Sequence, residues 1–254
     1  MLRWILVAAV PVALWSGYWG AGALALKQGA GTFLRDVQSG DLSSRFAQAG
    51  ISGFPGAFKL NLTDVQIQNA GLFAWTIPSA RLQAQSYRPQ AISLDLEGSQ
   101  KIRTVLGALT LDSELFEVSI YVRPSLTLTL PLGRAEIEMG NAHLSHEEGW
   151  SLRLANAQVV LQDAATAAEP ELPDPNLYGL AASADEVDLS DLLPELPEAY
   201  QMISEFRARA GLAFSRPLDR YALVDEAPDL SEIVMDEVEM RVGASRVTMA
   251  GQLQ

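Results

Sequence analysis

The sequence predicts a mainly β protein: an N-terminal transmembrane or signal helix, then an antiparallel, curved β-sheet meander with a few short helices. An open trough is among the shapes such a meander can take. Three observations predict this. The chain opens with a long uncharged run, apolar residues recur with period two from about residue 50, and tight polar turns rather than crossover helices separate the alternating stretches.

The opening run is WILVAAVPVALWSGYWGAGALAL, residues 4–26, with Arg3 before it and Lys27 after it. At about 1.5 Å per helical residue it reaches roughly 34 Å, enough for a hydrocarbon core of about 30 Å. Two readings of residues 1–26 stand. In one, Trp4–Leu14 is the apolar region of a signal peptide and Ala23-Leu24-Ala25 is a small-residue cleavage site. In the other, the segment stays as a single-pass anchor, with Trp15, Tyr18 and Trp19 near the outer interface. Either way the body is expected on the far side of a bilayer.

Residues 27–49 read as a helical linker, because Phe33, Leu34, Val37, Leu42 and Phe46 fall near helical spacing. Residues 50–163 read as an antiparallel β region. Phe58, Leu60 and Leu62 alternate with polar residues, and the phase then slips by one, so that Val65 and Ile67 continue the apolar set. A one-residue slip turns side chains to the other face, so a β-bulge or strand break is expected at Thr63–Asp64. The alternation returns at Ala80–Ala84, Ile92–Leu96, Phe116–Val122, Leu126–Leu132, Ala135–Met139, Trp150–Leu154 and Val159–Leu161. Such strands have one apolar and one wet face, and their short connections exclude a doubly wound α/β fold.

A Pro/Ala/Glu-rich segment, residues 164–176, is expected to be a linker to a second β-rich unit over 177–254. That unit is predicted to hold a strand at Tyr178–Leu189 and a short helix at Glu198–Arg207, with Pro197 at its start. Strands are then expected at Ala210–Phe214, Val238–Val242 and Val247–Met249. Alternation runs almost to Gln254, which predicts an edge strand or a truncated pattern.

Composition narrows the function classes. The formal net charge is −13, from 31 acids against 18 bases, so a phosphate backbone is repelled and nucleic acid is excluded as a partner. There is no cysteine, which removes disulfides, thiolate catalysis and cysteine-ligated metals. Apolar residues make up 48% of the chain, enough to exclude wholesale disorder.

Gly53-Phe54-Pro55, Phe58, Leu62-Thr63-Asp64, Trp75 with Pro78, and Ser86-Tyr87-Arg88-Pro89 resemble, in order and spacing, the exported proteobacterial family called domain of unknown function 2125. Arg216-Pro217-Leu218-Asp219-Arg220 looks like that family's recurrent phrase before its later strands. The resemblance implies an N-terminally anchored periplasmic β protein, broadly similar to AsmA-like envelope proteins, whose curved sheets carry an apolar groove associated with lipid transport or membrane homeostasis. It implies no catalytic residue and no cofactor, and it implies that relatives continue past this chain's last residue.

Candidate chemistry is sparse. His143 and His146 form H-x-x-H before Glu147 and Glu148, yet residues three apart on a strand point to opposite faces, which argues against a metal site. Asp185, Glu186, Asp188 and Asp191 lack the spacing and central glycine of a calcium loop. Tyr87-Arg88 before Pro89 suits either a phosphate or carboxylate contact or an ion pair at a strand end. No catalytic motif is present, so the chain is not expected to be an enzyme. The expected ligand surface is the aliphatic face of Phe116, Val118, Ile120, Val122, Leu126, Leu128, Leu130 and Ile137, which would bind or conduct lipid or another hydrophobic ligand. The alternative is a scaffold for an envelope protein partner, with no ligand.

Overall fold

The structure is a computed structural model that describes residues 15–21, 42–69, 73–125, 129–164, 176–219, 222 and 228–253. Its strands are β1 (Leu42–Arg45), β2 (Gln48–Ser52), β3 (Ala57–Asn69), β4 (Phe73–Gln85), β5 (Arg88–Glu97), β6 (Gln100–Thr104), β7 (Gly107–Ser113) and β8 (Phe116–Val122). They continue with β9 (Leu132–Met139), β10 (Ala142–His146), β11 (Ser151–Ala155), β12 (Ala157–Asp163), β13 (Leu177–Asp188), β14 (Met202–Phe214), β15 (Leu230–Val242) and β16 (Ser245–Leu253). All sixteen belong to one antiparallel sheet, so the predicted mainly β meander is what the chain forms.

The pairing looks branched, because β4 meets both β5 and β6, and β13 meets both β11 and β12. The register removes the branches. Met139 of β9 faces Phe116 of β8, and Ala142 of β10 faces Ser113 of β7, in one unbroken alignment. Likewise Ala157 of β12 faces Met139, and Leu154 of β11 faces Ala142. Five pairs (β1 with β2, β5 with β6, β7 with β8, β9 with β10, β11 with β12) are therefore single long strands with one interruption each. Eleven long strands remain, each beside its neighbour in sequence. Residues 158–163 pair with 178–183, so the sheet runs on across the 164–176 segment.

The interruptions lie side by side. Residues in left-handed backbone fall in them, Asp64 (φ 52°), Gly98 (φ 86°), Asn156 (φ 49°) and Glu205 (φ 53°), and Asp, Asn and Gly tolerate that conformation best. Asp64 lies between the pairs Thr63–Ser79 and Val65–Ile77, opposite Pro78, and Pro78 packs against Gly98 on the next strand. Further on, Glu114 N–H donates to Asn141 O, and Asn156 Nδ2 donates to Asp185 Oδ2 at 2.8 Å. A row of local backbone irregularities thus crosses the curved sheet, and neighbouring strands keep one register through it. The slip expected at Thr63–Asp64 is one member of that row. Because chain phase and backbone slip together, the apolar residues stay on one face: Val65 and Ile77 from one side of the crease share a buried cluster with Ala80 and Leu96 from the other.

Three segments differ from the sequence reading. The helical linker fails over its last part, since Leu42–Arg45 and Gln48–Ser52 are strands paired with β3; residues 27–41 lie outside the described residues. The helix expected over Glu198–Arg207 ends at Gln201, because Met202 onward is hydrogen-bonded to β13 on one side and β15 on the other. Leu130 belongs to no strand: it sits at φ 50° in the loop before β9, and 126–128 lie outside the described residues. In the first two cases cross-strand pairing, invisible to local spacing, overrides a helical pattern. Among the described residues no helix is long and apolar enough to cross a membrane, and the described part of the opening run is the helical stretch 15–21.

Candidate functional site

The register carries one apolar row through ten strands. Leu60 faces Leu82, Leu82 faces Leu94, Leu94 faces Val118, and Val118 faces Ile137. Ile137 faces Val159, Val159 faces Ala182, Ala182 faces Ala208, Ala208 faces Val238, and Val238 faces Met249. Nine strand spacings of about 4.8 Å make this row roughly 43 Å long. A second row, Phe58–Ala84–Ile92–Ile120–Ala135–Leu161–Leu180–Ala210–Met235, runs beside it on the same face. The expected ligand-face residues Phe116, Val118, Ile120, Val122 and Ile137 all stand on this face and are half-buried. Extensive contacts among the described elements join only hydrogen-bonded neighbours, apart from the helical turn Glu198–Gln201 against β14 and β15. Each of Val118, Ile120 and Ile137 has apolar neighbours on both adjoining strands.

The opposite face is polar. Asn61, Arg81, Asp95, Glu117, Glu138 and Gln158 stand opposite one another in turn. Arg81 pairs with Glu97 at 3.0 Å, and Gln158 donates to Glu136 and Glu138. A depression of about 320 Å³ at one end of this face is lined by Arg88, Ser119, Tyr121, Arg134 and Glu136 among others. The hydrogen bonds from Arg134 hold the Glu136 carboxyl below its ordinary range, against the opposing effect of its burial.

The meander has two rims. The near rim carries 53–56, 86–87, 123–125, 129–131 and 215–219; the far rim carries 105–106, 147–150, 189–201 and 243–244. At one corner of the near rim the helical stretch 15–21 is clamped to the sheet. Trp15 Nε1 donates to Pro55 O at 3.1 Å, the Tyr18 hydroxyl to Ser86 O at 2.8 Å, and Trp19 Nε1 to Ala57 O at 2.8 Å. The Trp19 ring stacks on Phe58 and meets Phe54 edge-on, with centroids 5.9 and 5.3 Å apart. The two parts of the motif that carried the family resemblance meet here. Ser86, almost wholly buried, donates its hydroxyl to Pro55 O and its N–H to Gly56 O. Gly53 takes φ 102°, where a Cβ would strike Ala57 O at 2.6 Å, and Phe54–Pro55 is a cis bond. Tyr87, Arg88 and Pro89 remain exposed. Sequence reasoning placed the three aromatics at a bilayer interface; the backbone carbonyls they bind lie 38 to 68 residues away, and no local signal reveals that.

Farther along the near rim, the second motif folds back over the strand ends. Leu218 N–H donates to the buried Tyr178 hydroxyl at 3.1 Å, and Leu218 O accepts from Leu132 N–H at 2.7 Å. Burial pushes the Tyr178 phenol above its ordinary range. Beside it Arg123 Nε lies 2.9 Å from the buried Asp163 Oδ2, off the hydrogen-bonding direction, as a charge contact.

The histidines part as expected. His143 stands opposite Asp112 and Arg153. His146 is buried, stacks on Trp150 at 4.6 Å, and accepts at Nδ1 from Glu148 N–H, so its proton is on Nε2, donated to Leu106 O at 3.0 Å. The acidic series is a structural staple: Arg153 bridges Asp188 and Asp191 at 3.1 and 3.3 Å, Ser151 donates to Asp191, and Asp185 holds Asn156. Among the described residues no group of His, Asp and Glu is arranged to hold a metal ion.

A single-layer antiparallel meander, apolar on one face and clamped at one corner by an apolar N-terminal helix, defines the class. The chain belongs to the family described as an uncharacterized protein conserved in bacteria, domain of unknown function 2125, which it matches over residues 19–254. No curated protein and no solved structure matches it.

Proposed function

We propose that this chain is a membrane-anchored periplasmic protein whose curved apolar face takes up the acyl chains of lipid or a similar hydrophobic ligand. The uncharged run at residues 4–26 supports the anchor and the location. The observation that carries the ligand reading is the apolar row that runs without a break through one sheet from Leu60 to Met249. The row is buried at Leu60, half-buried at Val118, Ile137 and Val238, and exposed at Met249, and an apolar face that continues over this length of sheet marks a binding face. The broad similarity of the family to AsmA-like envelope proteins points the same way. The test is photolabelling of the full chain in its membrane with a diazirine fatty acid. Labelled peptides are expected from Phe116–Val122 and Ile137. Labelling that is absent, or spread equally over residues such as Glu117 and Ser119, overturns the reading.

A specific observation favours a second reading, a scaffold in an envelope complex. At the far rim Val105 and Leu106 are 75% and 84% exposed, on a hairpin tip held rigid by His146 and by Gly107 at φ 125°. A fixed apolar tip suits a partner protein. Crosslinking from position 106 in membranes that returns monomer alone would sink this reading.

A further inference from the structure

The corner that grips the helical stretch also fixes where the sheet lies. Trp15, Tyr18 and Trp19 belong to the uncharged run, yet their polar atoms are bound to Pro55 O, Ser86 O and Ala57 O. If the run enters a bilayer, loop 53–56 and turn 86–87 are held within a side chain's length of it. The residues those loops show to solvent fit that place. Phe54 is 53% exposed, Tyr87 is 67% exposed, and Arg88 is exposed beside them. Aromatic rings and arginine are the side chains that settle at the headgroup level of a membrane. The charge is also exceptional for this chain. Neither 46–63 nor 83–94 contains an acid, and the two stretches carry Lys59 and Arg88, in a protein of net charge −13.

We propose that this corner is a second membrane contact: Phe54, Tyr87 and Arg88 rest in the headgroup layer of phospholipid, seating the near rim on the bilayer. The apolar rows, which begin at Phe58 and Leu60, then run across the sheet alongside the membrane surface. The inference rests on the anchor reading above, and it requires that residues 15–21 stay attached rather than leave with a signal peptide. The family match, which begins at Trp19, includes part of the stretch that a cut after Ala25 would remove.

The chain has no cysteine, so single sites can be spin-labelled cleanly. Tyr87→Cys and Arg88→Cys, both at exposed positions, are compared with Glu148→Cys on the far rim, whose side chain is 78% exposed. Each full-length variant is placed in nanodiscs of phosphatidylethanolamine and phosphatidylglycerol. Collision with oxygen, which partitions into lipid, and with a water-soluble nickel chelate is then read by electron paramagnetic resonance. Labels at 87 and 88 are expected to lose nickel accessibility and gain oxygen accessibility relative to 148. A chain that elutes with the nanodiscs but shows equal accessibilities at 87, 88 and 148 overturns the seated corner and leaves the anchor standing. A chain that elutes apart from the nanodiscs overturns the anchor reading, and the corner with it.

Discussion

Asn156 illustrates how much rests on one residue of the crease. Its backbone is left-handed at φ 49°, and its side chain ties β12 to the next strand through Asp185. Left-handed backbone costs an ordinary residue about 1 kcal/mol or more, and a lost hydrogen bond costs about another 1 kcal/mol. Asn156→Ala is expected to lose both, roughly 2 kcal/mol, and Asn156→Gly only the second. Urea unfolding of the two variants should rank them in that order. Equal losses would show that the backbone conformation carries no strain. Trp19 is the comparable residue of the clamp. Trp19→Ala removes a hydrogen bond and a stacked ring from Phe58, and should cost about 2–3 kcal/mol. Thermal unfolding of the full chain reads this as a fall in Tm, with the Trp15→Phe variant, which loses only a hydrogen bond to an exposed carbonyl, falling less.

At the scale of elements, the far-rim staple is electrostatic. The Asp188 carboxyl is held below its ordinary range by hydrogen bonds from the Ser190 hydroxyl and backbone N–H, then by Arg153. A carboxyl lowered on folding stabilises the fold at pH values above its unfolded range. That contribution fades as pH falls through the lowered value. Asp188→Asn should therefore unfold more easily than the parent at neutral pH, and the gap should narrow in acid below the ordinary carboxylate range. A gap constant from neutral pH into acid would mean that the charge contributes nothing. The next strand, β14, shows why Glu198–Arg207 misled a local reading. Helical composition extends past Gln201, but Met202–Phe214 has a partner along each edge, and thirteen residues of ladder outweigh a weak helical preference.

At the scale of the molecule, a single sheet layer changes what its apolar residues are worth. Ile137 faces Val118 and Val159 within its layer but is only half-buried. Truncation of a fully enclosed core residue costs about 2–5 kcal/mol. Ile137→Ala should cost about 1–2 kcal/mol, because much of its surface is not enclosed in the sheet. Added phosphatidylglycerol should raise the midpoint of the parent more than that of Ile120→Asp with Ile137→Asp. An equal rise would argue against acyl chains on this face.

The sequence by itself determined the period-two strands, their sequential hairpins, the slip at Asp64 and the family motifs, because these are local: alternation, turn residues and short spacing are written along the chain. It also placed Phe116–Val122 and Ile137 on one apolar face. The tertiary structure alone decided that slips in different strands fall side by side as a crease, that Leu42–Ser52 is a strand, and that Gly53–Pro55 and Ser86 close around Trp15, Tyr18 and Trp19. Those features depend on register between segments, and register is set by pairing energies summed across neighbouring strands, which no single stretch of residues contains.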